Sequence, residues 1–189
     1  MKTITRKEEI IEVAALLFKE KGYSAVSMRD IAAKLNMKAA SLYNHIHSKE
    51  EILAVLILEV AEAFTQGMET VQNSEISSLD KVVLLIEQHI EITLKHARAM
   101  AALNNDWVHL RVDNRNEFVL KRDAYEMNFR KIIQKGISKN EFKPLHPEVI
   151  LFSILSTLRN LHLWHEKRGK LEVNVLKKEM AAVLINGIV

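Results

Sequence analysis

The sequence predicts an all-α protein with a small amino-terminal three-helix domain containing a helix-turn-helix, residues 1–50, and a larger helical domain, residues 51–189. The chain has 189 residues, of which 48% are hydrophobic, and this is enough to bury two such cores. Only five glycines and two prolines are present, so few residues interrupt helices. Apolar residues recur at helical spacing, and strand-like alternation is nowhere sustained.

Three helix starts near the amino terminus share one signature, a hydroxyl residue followed three positions later by an acid. Such a capping box fixes where a helix begins, because the hydroxyl oxygen accepts from a free backbone N–H group while the acid reaches back to another. The pairs are Thr5 with Glu8, Ser27 with Asp30, and Ser48 with Glu51. They predict three helices that begin close to these positions.

A tight turn is predicted between the second and third helices. Gly22 is expected to end the first helix, because glycine adopts positive φ without a side-chain penalty. Asn36 is expected to take the left-handed conformation that the turn after the second helix requires. The third helix is predicted to be held inward by Met37, Leu42 and Ile46. Its outward face carries small and polar residues of the kind that suit a DNA groove: Lys38, Ala39, Ser41, Asn44 and His45.

This segment resembles the amino-terminal domain of TetR-family transcriptional repressors over residues 5–60. The matching features are Gly22 with Tyr23, residues 28–33, and the run LYNHI followed by SKEEIL. The resemblance implies that the third helix enters the major groove of DNA. It also implies phosphate contacts by Tyr43, His45 and Lys49, and base-edge or groove contacts by Arg29, Ala39, Ala40 and Ser41. Ser27, Lys38 and Asn44 complete the predicted DNA-binding set.

The chemistry of these side chains agrees with the implied roles. The charge of Lys49 and the phenol O–H of Tyr43 suit phosphate oxygens, which position a protein on DNA. The planar fork of Arg29 matches guanine O6 and N7, whereas an alanine methyl can only touch a thymine methyl. A lysine at position 38, where the family often has Ser or Thr, cannot cap a helix but adds positive charge near phosphate.

Composition narrows the classes of protein further. The formal net charge is +3 and the pI about 9.0, which permits DNA binding without establishing it. The chain has no cysteine, hence no disulfide and no thiolate metal ligand. The start of the chain has no signal-peptide pattern, and apolar runs such as residues 52–58 are too short to span a bilayer, so a cytoplasmic protein with no membrane contact is expected.

The larger domain is predicted to contain a dimer interface. A helix from Ser48 to about Gln72 leads into it, and a further apolar helix begins near Pro147 and is apolar on nearly every face. With the last helix, this is more apolar surface than one small domain covers, so a homodimer through a four-helix bundle is expected. Its two-fold axis predicts a palindromic operator. The predicted interface residues are Phe152, Leu155, Leu158, Trp164, Leu176, Met180 and Leu184.

A pocket for a small, apolar effector is also expected in this domain. His89 lies on an apolar helix face, with Thr93 and His96 at helical spacing from it. The candidate ligand residues are His89, Thr93, His96, Trp107, Phe118, Tyr125 and Phe129. They can equally be core aromatics and core histidines whose hydrogen bonds are made within the protein. The carboxy-terminal segment is loosely similar to TetR-family members that respond to acyl thioesters.

The sequence argues against catalysis, and no cofactor is expected. It has no glycine-rich phosphate loop, no H-E-x-x-H and no nucleophile elbow. His162 and His165 near Glu166 could chelate a metal, but imidazoles at a helix end more often face water or a partner, so no metal is predicted. The expected function is a DNA-binding repressor, and the alternative is a helical ligand-binding or scaffold protein without DNA binding.

Overall fold

The structure, a computed structural model, describes residues 5–168 and 171–189 and is all-α over these residues, as predicted. A short 3-10 helix, Trp107–His109, lies between α6 and α7. The α-helices are α1 Arg6–Lys21, α2 Met28–Lys34, α3 Ala39–Tyr43, α4 Lys49–Gln72, α5 Ser78–Lys95, α6 Ala97–Asn105, α7 Val112–Ser138, α8 Pro147–Arg159, α9 Leu161–Arg168 and α10 Val173–Asn186. None of the described helices is both long enough and apolar enough to cross a membrane.

The chain forms two compact units whose division differs from the expected boundary at residue 50. The first unit runs to Val60 and also includes Arg98–Val119, and the second consists of Ala61–Ala97 and Leu120–Val189. Helices α4 and α7 each contribute residues to both units. The sequence alone could not place residues 98–119 in the first unit, because no periodicity within a segment reveals which distant segment it packs against.

The capping residues of the first unit define its helix starts. In the third predicted box, Ser48 Oγ accepts from the Glu51 N–H group at 3.1 Å, but the Glu51 carboxylate accepts from the His47 N–H group at 2.9 Å instead of reaching Ser48. The third box is therefore shifted by one residue. The other two boxes form as predicted, at Thr5 with Glu8 and at Ser27 with Asp30.

The turn between α2 and α3 confirms the role expected for Asn36. Its φ of 53° lies in the left-handed region, which asparagine tolerates better than most residues. Helix α3 is shorter than expected and ends at Tyr43, so Ile46 lies beyond the helix. Both Leu42 and Ile46 are nevertheless fully buried, and they hold α3 and the turn after it against the rest of the first unit.

Helix α5 is the central helix of the second unit. It contacts α8, α9 and α10, and it buries Val82, Leu85, Ile86 and Ile90 in the apolar core of this unit. At the end of α7, a Cβ atom on Gly136 would lie 2.3 Å from the ring of Phe142, so the close approach of the two segments requires glycine there.

The apolar segment that begins at Pro147 is two helices and not one. Asn160 ends α8, and α9 begins at the next residue. Within a single chain the apolar surface of this segment is only partly covered, because Val149 and Phe152 are 58% and 72% exposed. Hydropathy alone did not locate this break, since leucines continue on both sides of the asparagine, at Leu158, Leu161 and Leu163.

Candidate nucleic-acid interface and effector site

The exposed face of α3 consists of small and polar side chains held on a buried apolar base. Lys38 occupies the N-cap position and makes no side-chain capping hydrogen bond, as its chemistry predicts. Tyr43, which ends the helix, is 46% exposed. Of the other predicted DNA-binding residues of this segment, Ala39 is half-buried, and the exposed ones are Ala40, Ser41, Asn44 and His45.

Helix α2 presents Arg29 to solvent and uses Ser27 as its cap. The Ser27 hydroxyl oxygen accepts from the Asp30 N–H group at 3.2 Å, and the Asp30 carboxylate accepts from the Ser27 N–H group at 2.7 Å. The Ser27 hydroxyl also donates to the Asp30 carboxylate at 2.5 Å, and this hydrogen bond first, followed by the one from the Ser27 N–H group, lowers the pKa of Asp30. Capping is therefore the role that the structure gives Ser27, and its DNA contact stays a prediction.

Lys49 is engaged inside the first unit. Its ammonium donates to the backbone carbonyl oxygens of Tyr23 and Val26, both at 2.7 Å, and lies 4.1 Å from the centre of the Tyr23 ring. Burial lowers the pKa of Lys49. The ammonium has three donors, of which two are thus used. The phosphate contact that the resemblance implies for Lys49 stays a prediction, and only one N–H group remains for it.

Residues 98–119 contact the amino-terminal part of the first unit through side chains that were not predicted from the sequence. The Glu50 carboxylate accepts from the Arg111 backbone N–H group and from the Asn114 side-chain amide, both at 3.0 Å. The ring of His109 stacks on that of Tyr23 with centroids 5.2 Å apart. These partners are more than 50 residues apart in the chain, so no local pattern could have revealed them.

Two of the predicted effector residues form a buried polar pair on α5. His89 is 5% exposed and Thr93 is fully buried. The two ring nitrogens of His89 and the hydroxyl oxygen of Thr93 all lack a hydrogen-bond partner in the described structure. Burial, and next the positive charge of Arg159, lower the pKa of His89 to about 3. The imidazole is therefore neutral near pH 7.

A chain of aromatic rings begins beside His89. Its first ring, that of Phe64, was not among the predicted ligand residues. The Phe64 ring of α4 lies 4.6 Å from the imidazole of His89, and the Tyr125 ring lies 5.7 Å from Phe64, centroid to centroid. Phe129 follows at 6.2 Å from Tyr125. Burial raises the pKa of Tyr125. Phe64 lies on α4, and nothing in the sequence linked it to His89.

The other three predicted ligand residues occupy different positions. His96 caps the end of α5 with its backbone, where its N–H group donates to the Ile92 carbonyl oxygen at 2.9 Å. Trp107 and Phe118 belong to the first unit and lie 5.7 Å apart, centroid to centroid. A ligand role for any of these three stays a prediction.

A surface hollow of about 310 Å³ lies between α4 and α7 in the second unit. Its wall combines the apolar Met68, Leu120, Ala124 and Tyr125 with polar or charged side chains, namely Thr65, Glu69, Gln72, Lys121 and Asn128. The Tyr125 ring thus contributes both to this hollow and to the aromatic chain that leads to His89. The volume falls at the lower end of the range typical of ligand pockets.

The predicted dimer residues divide into buried and exposed sets. Leu155, Leu158 and Leu176 are at most 3% exposed and belong to the core of the second unit, so they leave almost no surface for a partner. Phe152 and Trp164 are exposed by 72% and 40%. Met180 and Leu184 are half-buried against the core. Exposed apolar residues that the sequence analysis did not name include Val149, Leu163 and Val183.

The histidines of α9 do not assemble a metal site among the side chains that the structure describes. No group of three potential ligand side chains occurs there, and the Nδ1 atom of His162 lies 2.9 Å from the Arg159 carbonyl oxygen. The side chain of Glu166, which the sequence analysis placed near this pair, lies outside the described residues.

A helix-turn-helix with an exposed polar face, joined to a larger helical unit, defines a DNA-binding regulator, and comparison with known proteins gives its family. Residues 10–56 match the family model of bacterial regulatory proteins of the tetR family. Residues 75–188 match the model of the tetracyclin repressor-like carboxy-terminal domain. The chain belongs to the TetR family of transcriptional regulators. The expectation drawn from the sequence is confirmed.

Named relatives and solved structures agree with this assignment. The chain is 24% identical to the HTH-type transcriptional repressor KstR2 of Mycolicibacterium smegmatis over 187 residues, which cover 97% of this chain and 91% of the relative. The structure of the ketosteroid transcriptional regulator KstR2 of Mycobacterium tuberculosis superposes with a TM-score of 0.91 at 22% identity, covering 99% and 96% of the two chains. AibR, in complex with isovaleryl coenzyme A and operator DNA, gives a TM-score of 0.80 at 22% identity, covering 95% and 97%.

Proposed function

We propose that this regulator is a homodimeric repressor that binds a palindromic operator through α3 and releases it when a small apolar effector binds in the second unit. The observation that carries the DNA-binding part is the exposed face of α3. Its small and polar side chains stand on the fully buried Leu42 and Ile46. Such a face fits the major groove without burying unpaired polar groups.

Exposed apolar side chains support the homodimer. Phe152 and Val149 lie three residues apart on α8, and Val183 on α10 is 75% exposed. A soluble domain rarely leaves large apolar side chains together in solvent. A second copy of the chain, related by a two-fold axis, would cover them and would present two α3 helices to half-sites about one helical turn apart.

The effector proposal rests on the second unit and on two relatives. The aromatic chain beside His89 and the hollow at Tyr125 together offer apolar surface for a ligand and polar side chains that can orient it. KstR2 is named for ketosteroids and AibR was solved with isovaleryl coenzyme A. Acyl thioesters are therefore the first compounds to test here. Release follows if the ligand favours a dimer geometry that no longer matches the groove spacing.

Selection of DNA fragments from a random pool at near-physiological salt tests the DNA-binding proposal. We expect the wild-type protein to enrich a palindrome. Tyr43→Phe removes only a phenol O–H group at an exposed position, and we expect weaker binding to all sequences, because phosphate contacts carry no sequence information. Arg29→Ala should in addition relax the preference at one base pair in each half-site.

The matched control is Arg115→Ala, which removes the same charge from an exposed position on α7. If Arg29→Ala and Arg115→Ala change DNA selection equally, Arg29 contributes only general electrostatic attraction and no base contact. Failure of the wild-type protein to enrich any sequence, with and without acyl thioesters, would instead support the alternative of a helical ligand-binding protein that does not bind DNA.

A further inference from the structure

His89 and Thr93 place three unpaired polar atoms inside the second unit. They stand four residues apart on α5 and thus on one face of the helix. The atoms are both ring nitrogens of His89 and the hydroxyl oxygen of Thr93. More than nine-tenths of buried polar groups in folded proteins are hydrogen-bonded, and leaving one unpaired costs on the order of 1–3 kcal/mol. Three on a single helix face therefore indicate a binding site.

The chemistry of this face limits what it can bind. Because His89 is neutral, its ring offers one N–H donor and one lone pair, and the Thr93 hydroxyl donates and accepts. The pair itself therefore presents no positive charge to an anion, and the nearby cations of Arg159 and Lys121 are paired with the carboxylates of Glu126 and Glu62. Burying an ionised carboxylate without a hydrogen-bonded cation is strongly unfavourable. A hydroxyl or a carbonyl oxygen, in contrast, can accept from Thr93 and from the imidazole N–H group.

We propose that His89 and Thr93 form the polar anchor of the effector site, and that they select apolar ligands that carry an uncharged oxygen group, either a hydroxyl or a carbonyl. This inference rests on the proposed effector regulation and specifies the chemistry of the ligand. The carbonyl of an acyl thioester belongs to the selected class, whereas the carboxylate of a free fatty acid does not.

The surroundings of the anchor supply the apolar part of the site. The Phe64 ring covers the His89 imidazole at 4.6 Å, and the Tyr125 ring packs on Phe64 at 5.7 Å. Tyr125 also lines the hollow of about 310 Å³, whose wall includes Met68 and Leu120. In this arrangement the apolar body of the ligand occupies the hollow, and rotation of Phe64 lets the oxygen group reach His89 and Thr93.

Calorimetric titration of the full-length protein at pH 7.5 with eight-carbon probes tests the anchor. The probes are 1-octanol, 2-octanone and octanoate, which share the chain length and differ in the oxygen group. We expect 1-octanol or 2-octanone, or both, to bind at least ten times more tightly than octanoate. The comparison of the first two shows whether the anchor prefers a hydroxyl or a carbonyl. Tighter binding of octanoate, or no binding of any probe, would overturn the inference.

Thr93→Val is the decisive variant, because valine has nearly the shape of threonine and lacks only the unpaired hydroxyl. We expect at least tenfold weaker binding of the preferred probe and no loss of thermal stability. Thr70→Val is the matched control, since the Thr70 hydroxyl on α4 is exposed and donates to the Gln66 carbonyl oxygen at 2.9 Å; it should bind the probe like the wild type. His89→Leu provides a second test of the anchor.

Wild-type affinity for the preferred probe in both Thr93→Val and His89→Leu would contradict the proposed anchor. DNA binding of each variant, measured by fluorescence anisotropy in the absence of probe, separates this result from the proposed function. If the variants bind the operator like the wild type, a failed anchor leaves the DNA-binding proposal intact. If the wild-type protein binds no DNA but prefers the uncharged probes, the anchor stands and the regulatory proposal fails.

Discussion

The ammonium of Lys49 shows how burial changes the role of a single residue. Sequence resemblance assigns it to a phosphate, but in the folded chain it donates to two backbone carbonyl oxygens, those of Tyr23 and Val26. Replacement of Lys49 would therefore disturb the first unit as well as any DNA contact. Tyr43, an exposed neighbour of the turn after α3, is the cleaner probe of phosphate binding.

His89 is expected to make stability depend on pH. In the unfolded chain its pKa is near 6.5, and in the folded protein burial lowers its pKa to about 3. Between these values the unfolded state binds one more proton, so the free energy of unfolding falls as the pH drops below about 6.5. The slope from this residue approaches about 1.4 kcal/mol per pH unit. Urea denaturation between pH 7.5 and pH 5.0 measures this slope. Most carboxylates titrate below that pH range and therefore contribute little to it.

Two variants isolate this contribution. His89→Gln removes the titrating group, and its denaturation series should lose most of the slope. His45→Gln changes an exposed histidine and should keep the slope of the wild type. An unchanged slope in His89→Gln would mean that the imidazole is protonated in the folded protein or is reached by water.

At the scale of an element, α3 combines a weak helix start with a contact surface. Its N-cap is Lys38, which makes no side-chain capping bond, and the helix is only five residues long. Its position depends on the burial of Leu42 and Ile46 rather than on helix propensity. A better cap at position 38 should therefore help folding, while loss of the lysine charge should weaken DNA binding.

The substitution Lys38→Ser separates these two effects. A serine at this N-cap can accept from a free backbone N–H group, so we expect the free energy of unfolding to rise by about 0.5–1 kcal/mol. Because the proposed homodimer carries two copies of Lys38, the log–log salt dependence of DNA affinity should decrease by about two units of slope if each lysine neutralises a phosphate. Denaturation and titrations at several salt concentrations measure both. A salt slope equal to that of the wild type would remove Lys38 from the DNA interface.

Helix starts and turns were predictable because their signals are local. The caps at Thr5 and Ser27 and the left-handed Asn36 each depend on residues within one helical turn, and all three are confirmed. The break at Asn160 and the contact between Phe64 and His89 were missed. The first is an interruption between the consecutive helices α8 and α9, and the second is a contact between α4 and α5. Hydrophobic periodicity within one helix reports neither.

At the scale of the whole molecule, the proposed dimer explains why α8 and α10 keep apolar side chains in solvent. Of the predicted interface residues, Leu155, Leu158 and Leu176 are buried in the core of the second unit. Phe152 and Val183, in contrast, are 72% and 75% exposed. The sequence indicated that these helices carry an excess of apolar side chains but not which of their faces are free. Burial against α5, which contacts both helices, decides that.

Phe152→Glu is expected to convert the dimer to monomers, because it would place a charge in the apolar centre of the interface. Sedimentation velocity at micromolar concentration measures this. The matched control is Leu120→Glu, which introduces the same charge at an apolar residue of α7 that is 71% exposed. It should remain a dimer. Dimers of Phe152→Glu as stable as those of the wild type would place the interface elsewhere.

In the proposed complex, two copies of this chain read two half-sites in successive major grooves. The most direct measurement compares the affinity of the wild-type protein for its selected palindrome with that for the same DNA carrying five extra base pairs between the half-sites. The insertion turns one half-site to the opposite side of the duplex. We predict that affinity falls to the non-specific level, a loss of roughly 10³-fold or more. Equal affinity for the two DNA molecules would contradict the claim.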